Sequence, residues 1–229
     1  MKIQGFAKMT LLDYPSKVAC TVFTAGCNFL CPFCHNALLV NESGEENYAT
    51  EEILAFLEKR KGLLDGVCIS GGEPLLQQGI EEFIEQIKNM GYSVKLDTNG
   101  SFPEKLIAIV EKGLVDYVAM DVKNCIEKYP LSVGIDNFDT KTIEKSIDFL
   151  LEGKVDYEFR TTIVEQHHNI QDIEALAKRI KGAKRYFLQK FVDSGALLGE
   201  GLTAHNNETM EEMRRTAAAF VTDAQLRGV

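Results

Sequence analysis

Cys27, Cys31 and Cys34 stand in the spacing C-x-x-x-C-x-x-C inside the short run from Thr24 to Asn36. A loop of that grammar folds three thiolates onto one soft metal centre, an iron–sulfur cluster or zinc. A four-iron cluster held by three thiolates keeps one iron open to a small molecule, whereas a structural zinc site closes its fourth position. Other chemistries fit part of the loop. Cys31-Pro32-Phe33-Cys34-His35 matches the C-x-x-C-H of covalent haem attachment, Cys31 with Cys34 is spaced like a thioredoxin-type redox pair, and the three cysteines with His35 make a zinc set. Haem attachment normally needs an exported chain, and Met1 to Thr10 carries no apolar signal segment. A redox pair leaves Cys27 without a role. Zinc stays open from the loop alone.

The elements that must position this loop alternate regularly. Val18 to Phe23 is a β-branched and aromatic run that delivers the chain into the cysteines, as a buried strand feeding a site at its C-terminal end would. Strands are expected again at Val67 to Ser70, Ser93 to Asp97, Tyr117 to Asp121, Tyr157 to Val164 and Tyr186 to Phe191. Helices are expected from Thr50 as cap, then at Ile80 to Met90, Pro103 to Glu111, Thr140 to Leu151 and Ile170 to Ile180. A last helix, Glu208 to Leu226, carries an apolar stripe of Met210, Met213, Ala217, Phe220 and Val221. Glu42 to Asn47 reads as a surface loop. Six strand–helix units imply parallel pairing through right-handed crossovers and are too few for a closed eight-fold barrel. Periodicity does not separate an incomplete barrel from a flat doubly wound sheet.

The unusual residues fall at the strand ends. Ser70-Gly71-Gly72-Glu73-Pro74 lets backbone approach a ligand closely, although such glycine pairs are often simply turns. Asp97-Thr98-Asn99-Gly100 and Asp121-Val122-Lys123 end the next two strands, where the aspartates serve either a ligand or the cap of a turn. Arg160 leads Thr161-Thr162-Ile163-Val164, where a salt-bridged structural arginine is one reading. His167 and His168, being adjacent, do not share one face of a regular element and read as loop residues.

The cysteine loop resembles the cluster loop of radical S-adenosylmethionine (SAM) enzymes. The wider run from Gly5 to Asn36, with Leu12-Asp13-Tyr14-Pro15 ahead of Phe23-Thr24-Ala25-Gly26-Cys27-Asn28 and closing on Cys34-His35-Asn36, is similar to the activating proteins of anaerobic ribonucleotide reductases, sisters of the pyruvate formate-lyase activating enzyme. The likeness runs from about Gly5 through the strand near Phe191. It implies an α/β fold, a partial (βα)6 TIM-like barrel with parallel strands, in a single domain over 1–229 with a core at about 16–192 and a C-terminal helix at about 208–226. It also implies a 4Fe-4S cluster on Cys27, Cys31 and Cys34, with Phe33 and His35 beside it, and SAM held by Gly71, Gly72 and Glu73 around the methionine amino group. Asp121, Val122 and Lys123 become cofactor contacts, with Lys123 counted among the catalytic groups, and Asp97, Thr98 and Asp121 a monovalent cation site that would reduce repulsion among gathered carboxylates. Arg160 would approach the cofactor or a target peptide. The histidine that the related activators place on the sixth strand is absent from Phe187 to Val192, leaving Gln189 as its substitute, and Asp13 is either a substrate contact or a turn aspartate.

The activity implied is reductive cleavage of SAM and removal of a glycine Cα hydrogen from a partner glycyl-radical enzyme, with anaerobic ribonucleotide reductase preferred over pyruvate formate-lyase and a flavodoxin or ferredoxin as reductant. A radical SAM enzyme acting on a small molecule is the alternative; a zinc-stabilised binding module or an iron–sulfur electron carrier is the reading from another class. Composition narrows the field. A net charge of −9 with no run of five Lys or Arg argues against nucleic acid or an acidic membrane as partner. No apolar segment approaches the roughly 18 residues that would span a bilayer, so a cytoplasmic chain is expected. Cys20, Cys68 and Cys125 are scattered and read as reduced, buried thiols rather than a second cluster.

Overall fold

The computed structural model describes residues 1–35, 37–40, 48–193, 195 and 197–229; Asn36 and the expected loop from Glu42 to Asn47 lie outside them. β-branched runs alternate with amphipathic helices as β1 (Ile3–Thr10), β2 (Ala19–Thr24), α1 (Ala37–Val40), α2 (Thr50–Glu58), β3 (Gly66–Gly71), α3 (Ile80–Asn89), β4 (Ser93–Thr98), α4 (Pro103–Glu111) and β5 (Tyr117–Asp121). They continue as α5 (Tyr129–Val133), α6 (Lys141–Leu151), β6 (Asp156–Ile163), α7 (Ile170–Arg179), β7 (Arg185–Lys190), α8 (Asn207–Ala218) and β8 (Asp223–Arg227). Strand order follows the chain. β1 is antiparallel to β2, and the pairs from β2 to β4 and from β6 to β8 are parallel, so the chain has an α/β fold with a mostly parallel sheet. Among the described residues no helix is long and apolar enough to cross a membrane.

Local chemistry sets the helix starts. Pro103 opens α4, where its missing N–H costs nothing. Asn169 caps α7 by accepting from the Asp172 N–H at 2.9 Å, and the Asp172 carboxylate accepts in return from the Asn169 N–H at 2.9 Å. Thr50 is not the cap expected of it. It is the first helical residue of α2, and the start is held by the Ala49 N–H donating to Glu52 Oε2 at 3.1 Å.

Contacts divide the chain into two compact units, residues 1–28, 38–119 and 154–156 in the first and 29–37, 120–153 and 157–229 in the second. In the first, Thr21, Cys68 and Lys95 are level across β2, β3 and β4. Tyr14 is buried in a cluster with Ala19, Tyr117 and Ala119. A Cβ on Gly66 would lie 3.0 Å from the Tyr14 ring, so the glycine leaves room for it. Asp13 accepts from Thr21 Oγ1 at 2.5 Å, which ties it to β2 rather than only to its own turn.

In the second unit, β8 was not expected. Helix α8 stops at Ala218, the Thr222 N–H donates to the Ala183 carbonyl at 3.0 Å, and β8 pairs in register with β7. Met210, Met213 and Ala217 of the expected stripe are buried on α8, while Phe220 and Val221 fall in the turn beyond it. Arg227 of β8 pairs with the buried Glu158 of β6 at 3.0 Å and lies over the Phe187 ring at 3.4 Å. These strong anchors hold a segment whose own sequence reads equally well as helix.

Candidate active site

In the first unit, β2 ends by laying its backbone on the glycine pair after β3. The Gly72 N–H donates to the Thr24 carbonyl at 2.9 Å and the Glu73 N–H to the Gly26 carbonyl at 2.8 Å. A Cβ on Gly72 would sit 1.9 Å from the Gly26 oxygen, and one on Gly71 would sit 2.3 Å from the Thr24 oxygen. Gly71 also has φ +118°, a backbone angle open mainly to glycine. The close approach that the glycines permit is therefore, first of all, an approach by the chain's own cysteine loop.

Glu73 is fully buried, and its carboxylate gathers three donors: Thr98 Oγ1 at 2.9 Å, the Leu75 N–H at 3.0 Å and the Asn99 N–H at 2.7 Å. Asn99, fixed in this way, points its side-chain amide at Cys27 Sγ, 3.8 Å away, and donates to Asn28 Oδ1 at 3.0 Å. Sequence reasoning gave Asn99 no role. Its place in Asp97-Thr98-Asn99-Gly100 was visible, but nothing local connects it to a cysteine 72 residues earlier. An amide N–H on a thiolate stabilises the sulfur's charge, as an outer partner of a metal ligand does. Asp97 pairs with Lys95 and accepts from Ser70 Oγ at 3.1 Å.

In the second unit, Cys31 is buried and Cys34 half-buried, joined by a turn in which the Cys34 N–H donates to the Cys31 carbonyl at 3.0 Å. Phe33 between them is buried edge-on to His167 at 5.2 Å and His168 at 6.2 Å. His35 stacks on Phe191 at 5.9 Å, and its basicity is lowered by burial and by the Lys123 charge.

Asp121 lies between two cations, Lys123 Nζ at 2.9 Å and Arg160 Nε at 2.8 Å. Burial opposes its charge, yet Arg160 and Lys123 outweigh that and hold the carboxyl well below its usual range. Burial likewise opposes the Lys123 charge, and Asp121 followed by Cys31 overcomes it, keeping the ammonium protonated beyond the usual lysine range. The Val122 side chain is core, and its carbonyl accepts from Thr161 Oγ1 at 2.7 Å. The Lys123 backbone is pinned on both sides: its N–H donates to Tyr129 Oη at 3.3 Å, and its carbonyl accepts from His168 Nε2 at 2.8 Å. Since the Val164 N–H donates to His168 Nδ1 at 3.1 Å, the proton of this ring is on Nε2. Burial lowers the His168 pKa to about 4, so the ring is neutral. The two histidines are loop residues, as expected, but buried ones wired to Lys123. Gln189 is half-buried on β7 and level with Thr162 of β6, on the face that carries Arg160.

Each unit by itself offers what a thiolate ligand of an iron–sulfur cluster uses: an amide N–H on Cys27 in the first, and the Lys123 ammonium acting on Cys31 in the second. Cys20, Cys68 and Cys125 are buried cysteines outside any disulfide, with burial pushing Cys20 up to about 12 and raising Cys125. Among the described residues no three His, Cys, Asp or Glu side chains gather closely enough for a single metal ion.

The model of the Radical SAM superfamily matches residues 21–180. The chain belongs to the radical SAM superfamily. Radical SAM enzymes of several kinds resemble it. A Methanocaldococcus jannaschii protein named as a glycyl-radical enzyme activating enzyme is 33% identical over 233 residues, covering 99% of this chain and 96% of that one. The pyruvate formate-lyase-activating enzyme of Clostridium pasteurianum is 26% identical over 205 residues, covering 81% of this chain and 85% of that one. Among solved structures, Streptococcus suis SuiB bound to S-adenosylmethionine has a TM-score of 0.69 at 12% identity, covering 88% of this chain and 48% of that one. At that identity the likeness concerns the fold alone, an α/β fold with mostly parallel strands, as the resemblance implied.

Proposed function

We propose that this radical SAM enzyme activates a glycyl-radical enzyme, with anaerobic ribonucleotide reductase as the target. The reading is carried by the Cys27 loop, fastened to Gly71-Gly72-Glu73 by two backbone hydrogen bonds and addressed by Asn99. The likeness along 99% of the chain to a protein named as an activating enzyme supports the substrate class. Cys27, Cys31 and Cys34 would hold a 4Fe-4S cluster, and that group would supply the one-electron reduction of SAM that directs hydrogen removal at a glycine Cα of the partner.

The chain's own residues provide orientation and charge. Backbone around Gly71 and Gly72 takes the methionine amino group. Lys123, held charged by Asp121, takes the carboxylate end, with Arg160 and Gln189 on neighbouring positions of β6 and β7 toward the cofactor or target peptide. Phe33 and His35 screen the cluster from water. The reductant is a flavodoxin or ferredoxin, and the chain works in the cytoplasm.

Incubating the reduced, cluster-loaded protein with SAM and, separately, an anaerobic ribonucleotide reductase or a pyruvate formate-lyase tests this. The expected outcome is a glycine-centred radical by electron paramagnetic resonance with the reductase. A radical only with the lyase would reassign the target. SAM cleavage with neither protein would favour a small-molecule substrate.

A further inference from the structure

We propose that Lys95 is a built-in cation: its ammonium fills, at Asp97, the role expected of a bound monovalent ion, so that this chain binds SAM without one. Successive residues of a strand face opposite ways, so Lys95 and Asp97 share one face of β4, while Val94 and Leu96, both fully buried, occupy the other. The Lys95 side chain is 2% exposed and pairs with Asp97 Oδ1. Its Nζ is 3.8 Å from Cys68 Sγ, and Ser70 Oγ donates to the other Asp97 oxygen at 3.1 Å. A lysine so deeply buried is tolerated where a carboxylate neutralises it, and the converse holds for Asp97.

Thr98, expected to share the ion with Asp97, turns the other way. Its hydroxyl donates to Glu73 at 2.9 Å and accepts from the Gly100 N–H at 3.1 Å. Asp121, the third expected ligand, is itself matched by Lys123 and Arg160. Each aspartate of the expected trio therefore carries its own protein cation. A metal ion placed against Asp97 would stand beside an ammonium, and like charges at contact distance repel strongly in a buried site. Unlike an ion, the lysine cannot be lost by dialysis.

The functional part rests on the SAM reading above, so the test has a second arm that uses no SAM. SAM affinity of the cluster-loaded protein is measured by calorimetry in Na⁺, K⁺ or tetramethylammonium at constant ionic strength, and thermal unfolding is followed in the same salts without SAM. For the wild type, affinity should change by less than about twofold and the melting temperature should stay constant. Lys95→Met should lose at least about tenfold in affinity in tetramethylammonium, and Na⁺ or K⁺ should restore both its affinity and its melting temperature. A wild type that needs Na⁺ or K⁺, or a variant that responds to them no more than the wild type, overturns the proposal. Should Lys95→Met not fold, the wild-type salt exchange decides alone. Absence of SAM binding by the wild type in every salt would count against the proposed function, and the thermal arm would still judge Lys95.

Discussion

The two groups of site residues are held by different forces. In the first unit, Gly71, Gly72, Glu73 and Asn99 are fixed by close backbone approach and by hydrogen bonds to one buried carboxylate. In the second, Asp121, Lys123 and Arg160 are fixed mainly by opposite charges, with His168 and Tyr129 steadying the Lys123 backbone. Steric and backbone locks are insensitive to salt and fail abruptly when a single atom is added. Charge pairs tolerate small displacements but respond to protonation and to the loss of either partner.

The sharpest way to break this contrast is Gly72→Ala. A Cβ 1.9 Å from the Gly26 oxygen forces the cysteine loop away, so stability should fall by more than about 3 kcal/mol in urea unfolding, and reconstituted iron should fall with it. A variant of wild-type stability that loads iron normally would mean the lock is not steric. His168 probes the second unit through pH. Its folded pKa of about 4 lies below the unfolded value near 6.5, so the unfolded chain takes up the proton first as pH drops. The stability this ring contributes is complete above pH 6.5 and is lost as pH falls toward 4, a change of about 3 kcal/mol. His168→Gln should flatten the unfolding free energy against pH over that window; an unchanged slope would rule the ring out as its source. Asp121→Asn, the smallest change of the three, should cost about 2 kcal/mol because it strands two partly buried cations. It should weaken SAM binding while leaving iron content intact, and lost iron would show that the two regions do not fail separately.

Much of the site could be read from sequence because its chemistry is local. Three cysteines within eight residues need no fold to be recognised, and the motifs at Gly71, Asp97 and Asp121 each directly end a strand run. The partners were not legible. Glu73 was assigned to the cofactor, yet its oxygens hold Thr98 and Asn99, 25 and 26 residues away, and no local pattern announces such a pairing. Lys95 in Ser93 to Asp97 passed as a strand residue, since its burial depends on Asp97 beside it and Cys68 opposite. The same limit applied to the fold. The six parallel units were periodic enough to count, whereas β1 is interrupted by Gly5 and Lys8, and β8 has an alternation of only Ala224 and Leu226 to distinguish it from a helix tail.

Glu73 takes donors from Leu75, Thr98 and Asn99 of its own unit, so the walls around Cys27 take their shape when the chain folds. The entropy of arranging these loops is then settled during synthesis of the native state, and a cofactor arriving later meets a ready-made surface. Loading should accordingly be quick and accompanied by little further ordering of the polypeptide, with a small heat-capacity change as its calorimetric mark.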